Sequence, residues 1–317
     1  MLFIYRFQER RTPMSHPLTD QSIPKKVNVA GMSCLVFNEE APGTPVILIH
    51  GLLCSVYFWY PKHLNVFGNR PIYSIALPGH YPSPSLSPGE RITPDSLATA
   101  VLAQIEALIG NRRCVLVGHS TGAHAAFLAA ASRPEQVDAV ISIGGSLYGK
   151  EEGGIYAAFQ WLGKFGSFGR SLIAFGLKFN ALSVGVHKVF MKDVVAEPKT
   201  FFEDPDANHY VDYYFPALKA ISGLSMARYF GDLVDLDLRP YMPDVSAPTL
   251  IMSGNQDPYV SVGSTEALST TLRDSEMVLI DRSGHLPMFE NWPEYQKAIT
   301  SFMDRLMSGT DANKTLF

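Results

Sequence analysis

The sequence is short of the residues that announce a metal, a nucleotide or a disulfide framework. Cysteine occurs three times in 317 residues, as Cys34, Cys54 and Cys114. An odd, scattered set with no Cys-x-x-Cys spacing reads as reduced thiols in a reducing compartment. No His-Glu-x-x-His, Gly-x-Gly-x-x-Gly or Walker-type loop occurs, so neither a metal nor another cofactor is implied. Positive charge is also scarce. Asp and Glu number 30 against 26 Lys and Arg, a net charge of −4. A nucleic-acid partner, which calls for a basic stripe, is therefore not expected. No apolar run reaches the roughly 18 residues of a membrane span, so stable membrane insertion is not expected and a cytoplasmic location is. Met1 to Tyr5 is apolar but too short for a signal peptide, and Arg6 follows it instead of preceding it. Residues 1–25 read as a polar, proline-bearing tail, with Met14 as an alternative start.

What is present is an ordinary globular composition, 46% hydrophobic and 18% charged. Residues 26–38 suggest a hairpin or two edge strands. Short apolar strands follow near 45–50, 71–76, 114–118, 138–143, 249–253 and 276–280. Helices fit 93–109, 121–132, 262–272 and 293–307. The first is well punctuated: Thr93 can cap it, Pro94 suits its first turn and Gly110 stops it. Strands alternating with helices imply an α/β fold, a mostly parallel sheet wound on both faces, whose ligands bind at the carboxyl ends of the strands.

One such strand end carries chemistry. Cys114 to Val117 is a buried strand, Gly118-His119-Ser120-Thr121-Gly122 follows it, and an alanine-rich helix begins at once. A Gly-x-Ser-x-Gly run alone is weak evidence; the strand before it and the helix after it give it meaning. There the serine sits on a tight, strained turn with its hydroxyl lifted off the sheet. Two later strand ends supply partners. Thr249 to Ser253 leads into Gly254-Asn255-Gln256-Asp257-Pro258, and Met277 to Ile280 leads into Arg282-Ser283-Gly284-His285. No carboxylate follows the strand that ends Ile143-Gly144-Gly145-Ser146.

The order Ser120, Asp257, His285 resembles the α/β-hydrolase family, whose triad runs nucleophile, acid, histidine. Val46 to Ile49 followed by His50-Gly51-Leu52-Leu53 resembles the strand and His-Gly turn that the family places beside its nucleophile. By that resemblance the Leu52 and Thr121 N–H groups would form the oxyanion hole, worth a few kcal/mol of barrier. His50 and His119 would be structural members of their motifs. Ala76-Leu77-Pro78-Gly79-His80-Tyr81-Pro82-Ser83 resembles the family's Asp-x-Pro-Gly-x-Gly-x-Ser loop, with Ala76 for the aspartate and Tyr81 for the second glycine. Neither position is catalytic in the family. A serine nucleophile sets the chain apart from the branches that use aspartate there, the haloalkane dehalogenases and epoxide hydrolases. His124 reads as a packing or surface residue, and Glu290 and Asp281 have no assigned work.

The organisation expected is a core of 26–146 and 244–317, with 147–243 inserted as a helical cap. The insertion is rich in glycine and aromatics, among them Tyr156, Phe159, Trp161, Phe165, Phe168, Phe175, Phe179, Phe201, Tyr210, Tyr214 and Phe215. Most of these are expected to form the cap's own core. The activity implied by the resemblance is hydrolysis of a carboxylic ester of a small, mostly hydrophobic substrate. The same triad also serves thioesterases, lactonases, C–C bond hydrolases, acyltransferases and slow-turnover ligand receptors, and fold and triad do not separate these.

Overall fold

Both faces of one sheet are buried, and the strand sequences show why. In the computed structural model, which describes residues 24–59 and 65–314, Ile47, Ile49 and Leu116 join one apolar cluster while Val46, Leu48, Val115 and Val117 join another. Successive side chains of a strand point to opposite faces, so continuous apolar runs demand cover on both sides. Helices α1 (Pro94–Ile109), α2 (Thr121–Ser132) and α9 (Val262–Thr271) contribute to the first cluster. Helices α10 (Pro287–Glu290) and α11 (Trp292–Lys314) cover the second, the one with Met288 and Phe289, the other with Tyr295, Ile299 and Phe302.

The strands are β1 (Lys25–Val29), β2 (Met32–Phe37), β3 (Val46–Ile49), β4 (Ile72–Ile75), β5 (Cys114–His119), β6 (Val137–Ile143), β7 (Thr249–Gly254) and β8 (Ser275–Ile280). They lie in the order β1-β2-β4-β3-β5-β6-β7-β8. β1, β2 and β4 pair antiparallel, and every pairing from β4 onward is parallel. The hairpin expected over 26–38 is thus the antiparallel edge of a parallel sheet. Residues 1–23 of the expected tail lie outside the described residues, and Lys25 already belongs to β1. The strand order reverses beside β3, and a crevice opens at such a switch point beyond the carboxyl ends of the strands.

Local signals set the helix ends. Thr93 accepts from the Ser96 N–H while the Ser96 hydroxyl takes the Thr93 N–H, a reciprocal cap on α1. Gly110 follows with φ +60°, a conformation open to glycine.

Between β6 and β7 stand six helices: α3 (Gly154–Gly163), α4 (Gly166–Asn180), α5 (Val184–Met191), α6 (Pro198–Glu203), α7 (Pro205–Ala220) and α8 (Gly223–Leu233). A single antiparallel bridge, Tyr148 to Asp237, joins the two ends of this stretch. Phe159, Phe201, Tyr210 and Phe215 are buried in it, but Trp161, Phe165, Phe168, Phe175 and Phe179 are exposed. The expectation that most of its aromatics pack inward needs that correction for α4. The inner face of α4 is Gly169, Ile173 and Leu177. A Cβ on Gly169 would lie 1.8 Å from the Leu162 carbonyl oxygen, so α4 sits close against α3 and its phenylalanines are left on the other side.

Candidate active site

Ser120 has φ +52° and ψ −120°, a strained position for a residue with a side chain. Its N–H donates to the Ile143 carbonyl at 2.8 Å, which ties the turn to β6. The flanking glycines are required by close approach. A Cβ on Gly118 would lie 2.3 Å from the Gly122 carbonyl oxygen, and one on Gly122 would lie 2.2 Å from that of Ile49. The start of α2 is thereby pressed against the end of β3. Among the described residues neither the Leu52 nor the Thr121 amide meets a hydrogen-bond acceptor. Thr121 opens α2, where helix N–H groups lack intrahelical partners.

Asp257 and His285 meet although 28 residues separate them: Nδ1 of His285 bonds Oδ2 of Asp257 at 2.8 Å. The other carboxylate oxygen accepts the Tyr259 and Val260 N–H groups at 2.8 and 3.1 Å. These bonds fix the carboxylate, and the carboxylate fixes the ring: Nδ1 carries the proton and Nε2 is left as the basic atom. Burial works against a charged imidazole at His285. The Asp257 carboxylate, by charge and by hydrogen bond, outweighs it, so His285 titrates above its ordinary value. Gly144, at φ +57°, lies under this pair; a Cβ there would come within 3.1 Å of the imidazole.

Ser120, His285 and Leu52 line one cavity of about 70 Å³. Its roof comes from the inserted helices, with Tyr156, Asn180, His187, Met191, Tyr210 and Tyr214. Three of these, Asn180, His187 and Tyr214, are joined by hydrogen bonds. His187 Nδ1 bonds the Asn180 side-chain oxygen at 2.8 Å, and its Nε2 meets the Tyr214 hydroxyl. Burial pulls the His187 pKa down to about 4, and the Tyr214 hydroxyl also lies 3.2 Å from Met191 Sδ. A larger groove of about 540 Å³ adjoins the cavity and shares Leu53 and Leu218 with it.

Several residues support the pair through bonds that the sequence did not show. Glu290 accepts the N–H groups of Gly284 and Leu286, which flank His285, and that of Ala196 from the inserted segment. The His285 N–H itself donates to the Val194 carbonyl at 2.9 Å. His119 Nε2 bonds the His285 carbonyl at 2.9 Å. Asp193 accepts the Tyr259 hydroxyl at 2.8 Å and the Ile155 N–H at 2.7 Å. Their partners are far away in the chain, so no local pattern reveals them. His50 and His124 are buried and turned to structural bonds. His50 Nε2 accepts the Leu77 N–H at 3.2 Å, and His124 bonds Ser146 at 3.3 Å. Asp281 accepts from the Asn255 side chain at 2.7 Å. The three cysteines are free thiols.

Comparison with known proteins bears out the fold. The sequence profile of the Alpha/beta hydrolase family matches residues 46–296. The pimeloyl-(acyl-carrier protein) methyl ester esterase of Aliivibrio fischeri (strain MJ11) is 22% identical over 274 residues, covering 86% of this chain and 98% of that protein. A thermophilic esterase from Thermogutta terrifontis superposes with a TM-score of 0.68 at 17% identity, over 90% of this chain and 99% of its own. The meta-cleavage product hydrolase from Pseudomonas fluorescens IP01 does so with a TM-score of 0.65 at 16% identity, over 90% and 98%. At such identities the two structures speak for the fold alone. The chain belongs to the alpha/beta hydrolase family.

Proposed function

We propose that the chain is a serine esterase that cleaves a carboxylic ester of a small, mostly hydrophobic substrate through an acyl-enzyme. Ser120 is the nucleophile, His285 the general base and Asp257 the residue that orients it. The observation that carries this reading is the His285–Asp257 bond of 2.8 Å on the same cavity as a serine in left-handed backbone. With Nδ1–H committed to Asp257, His285 Nε2 takes the Ser120 proton as the oxygen attacks the ester carbonyl. The carbonyl electrons move to oxygen, and the Leu52 and Thr121 N–H groups receive that oxyanion. His285 then gives the proton to the leaving alcohol. A water molecule repeats the cycle on the acyl-enzyme, releasing the acid and restoring Ser120.

The six helices between β6 and β7 act as the cap over this site, within 147–243. Leu53, Leu218, Tyr156 and Met191 offer the acyl group apolar surface, while the Tyr214–His187 pair gives one polar contact for the substrate's oxygen atoms. The test is turnover of p-nitrophenyl butyrate by the purified chain. Steady hydrolysis is expected, with Ser120→Ala folded but slower by about 10⁴-fold or more. Activity in the variant within about tenfold of the parent would remove the serine from the mechanism.

A further inference from the structure

Helix α4 carries Phe168, Leu172, Phe175 and Phe179 at intervals that put them on one face, and all four are exposed, Phe168 at 69% and Phe175 at 71%. Trp161 and Phe165, in ring contact at 4.9 Å, extend the patch toward α3. Contiguous exposed apolar surface of this kind marks an interaction site. Charge says what the site meets. Between residues 153 and 192 stand Lys164, Arg170, Lys178, Lys188 and Lys192 and no Asp or Glu, in a chain that is acidic elsewhere. Lys164, Arg170 and Lys178 form no ion pair among the described residues.

We propose that the α3–α5 face docks on the surface of an anionic lipid bilayer. The aromatic face would lie in the acyl boundary, with Lys164, next to Phe165, and Lys178, beside Phe175 by helical spacing, at the headgroups. The geometry favours lying over crossing. Among the described residues no single helix is long and apolar enough to span, and α4 and α5, which would suffice together, are bent by 115°. A second copy is a poorer occupant, because an isologous contact would set the same cations against each other. Leu182 and Leu224 are exposed beside this face and line the 540 Å³ groove that leads toward Ser120. Docking therefore places the groove mouth at the lipid. That amphiphilic esters enter from the bilayer rests on the esterase reading; the docking itself does not.

The test is flotation of the full chain with vesicles of phosphatidylcholine alone or with 30% phosphatidylglycerol, read beside p-nitrophenyl butyrate turnover and sedimentation velocity. Binding to the anionic vesicles is expected, weakened by salt, with little binding to the neutral ones. K164E, which changes the charge by two units, should lower anionic-vesicle binding by about 25-fold, at about fivefold per unit of charge. F168S/F175S should abolish it. Both variants should keep parental turnover of the soluble ester, so a failed esterase reading and a failed docking reading give different results. The proposal is overturned if vesicles of both compositions are bound equally or not at all. It is equally overturned if the Phe variants float like the parent, or if they only dissociate a dimer.

Discussion

Ser120 owes its position to what its neighbours lack. Gly118 and Gly122 admit the carbonyls of Gly122 and Ile49 at distances no Cβ would tolerate, and this could be read from the Gly-x-Ser-x-Gly run and its setting. Asp257 and His285 were legible for a similar reason, since each follows an apolar strand on a short polar loop. The residues that hold His285 were not. His119, Gly144 and Glu290 reach it from three other segments, and such convergence exists only in the folded chain. The raised pKa of His285 sets the pH behaviour. An imidazolium cannot accept the Ser120 proton, so kcat/KM should fall as pH drops through a midpoint above 6.5. Asp257→Asn removes the group that raises the pKa, leaving burial to lower it. The midpoint should then move down, and turnover should fall by about 10⁴-fold because the amide favours the wrong tautomer. A pH–rate profile of both proteins checks this, and an unmoved midpoint would count against the assignment of Asp257.

At the scale of elements, punctuation decided what could be read. α1 has a cap, a proline in its first turn and a glycine stop, and α2 fills 121–132 as expected. α11 runs to Lys314, beyond the expected 307, continuing through Gly309, where the sequence suggested a stop. The helices between β6 and β7 were not separable in the sequence. Apolar residues crowd that stretch without one dominant period, since α4 shows apolar side chains on two faces. The loop bearing His285 is an element of this kind, built by distant bonds. Glu290 accepts N–H groups on both sides of the histidine and one from Ala196, and burial holds its pKa above the ordinary carboxylate value. Glu290→Gln replaces one acceptor oxygen with a donor, so at least one of those buried N–H groups loses its partner. We expect kcat to fall by about 10- to 100-fold through misplacement of the imidazole, with KM little changed. Stability should drop by about 1–3 kcal/mol, read by denaturant unfolding. Parental kcat with lowered stability would make Glu290 purely structural.

At the scale of the whole molecule, alternation of strands and helices carried the fold class, and the continuous apolar strands carried the two-faced burial. Strand order and the antiparallel β1–β2 edge came from the structure, because the sequence does not say which strands are neighbours. Composition likewise gave the aromatics between Tyr156 and Phe215 but not their division between an inner lining and an exposed face. The inner part makes a quantitative expectation. Each buried methylene is worth ~0.8 kcal/mol, or about fourfold in kcat/KM. Along a series of p-nitrophenyl esters kcat/KM should therefore rise over the first several acyl carbons and flatten or fall once the cavity and its adjoining groove are full. A preference for acetyl over hexanoyl esters would show that these walls pack only against one another.

The central claim, that Ser120 is a nucleophile activated by His285, is tested most directly by covalent labelling. The intact chain is treated with a fluorophosphonate and its peptides are mapped by mass spectrometry. The account predicts one adduct, on Ser120, absent from Ser120→Ala and formed far more slowly by His285→Ala. An unlabelled parent protein, or an adduct on another residue that survives Ser120→Ala, would contradict it.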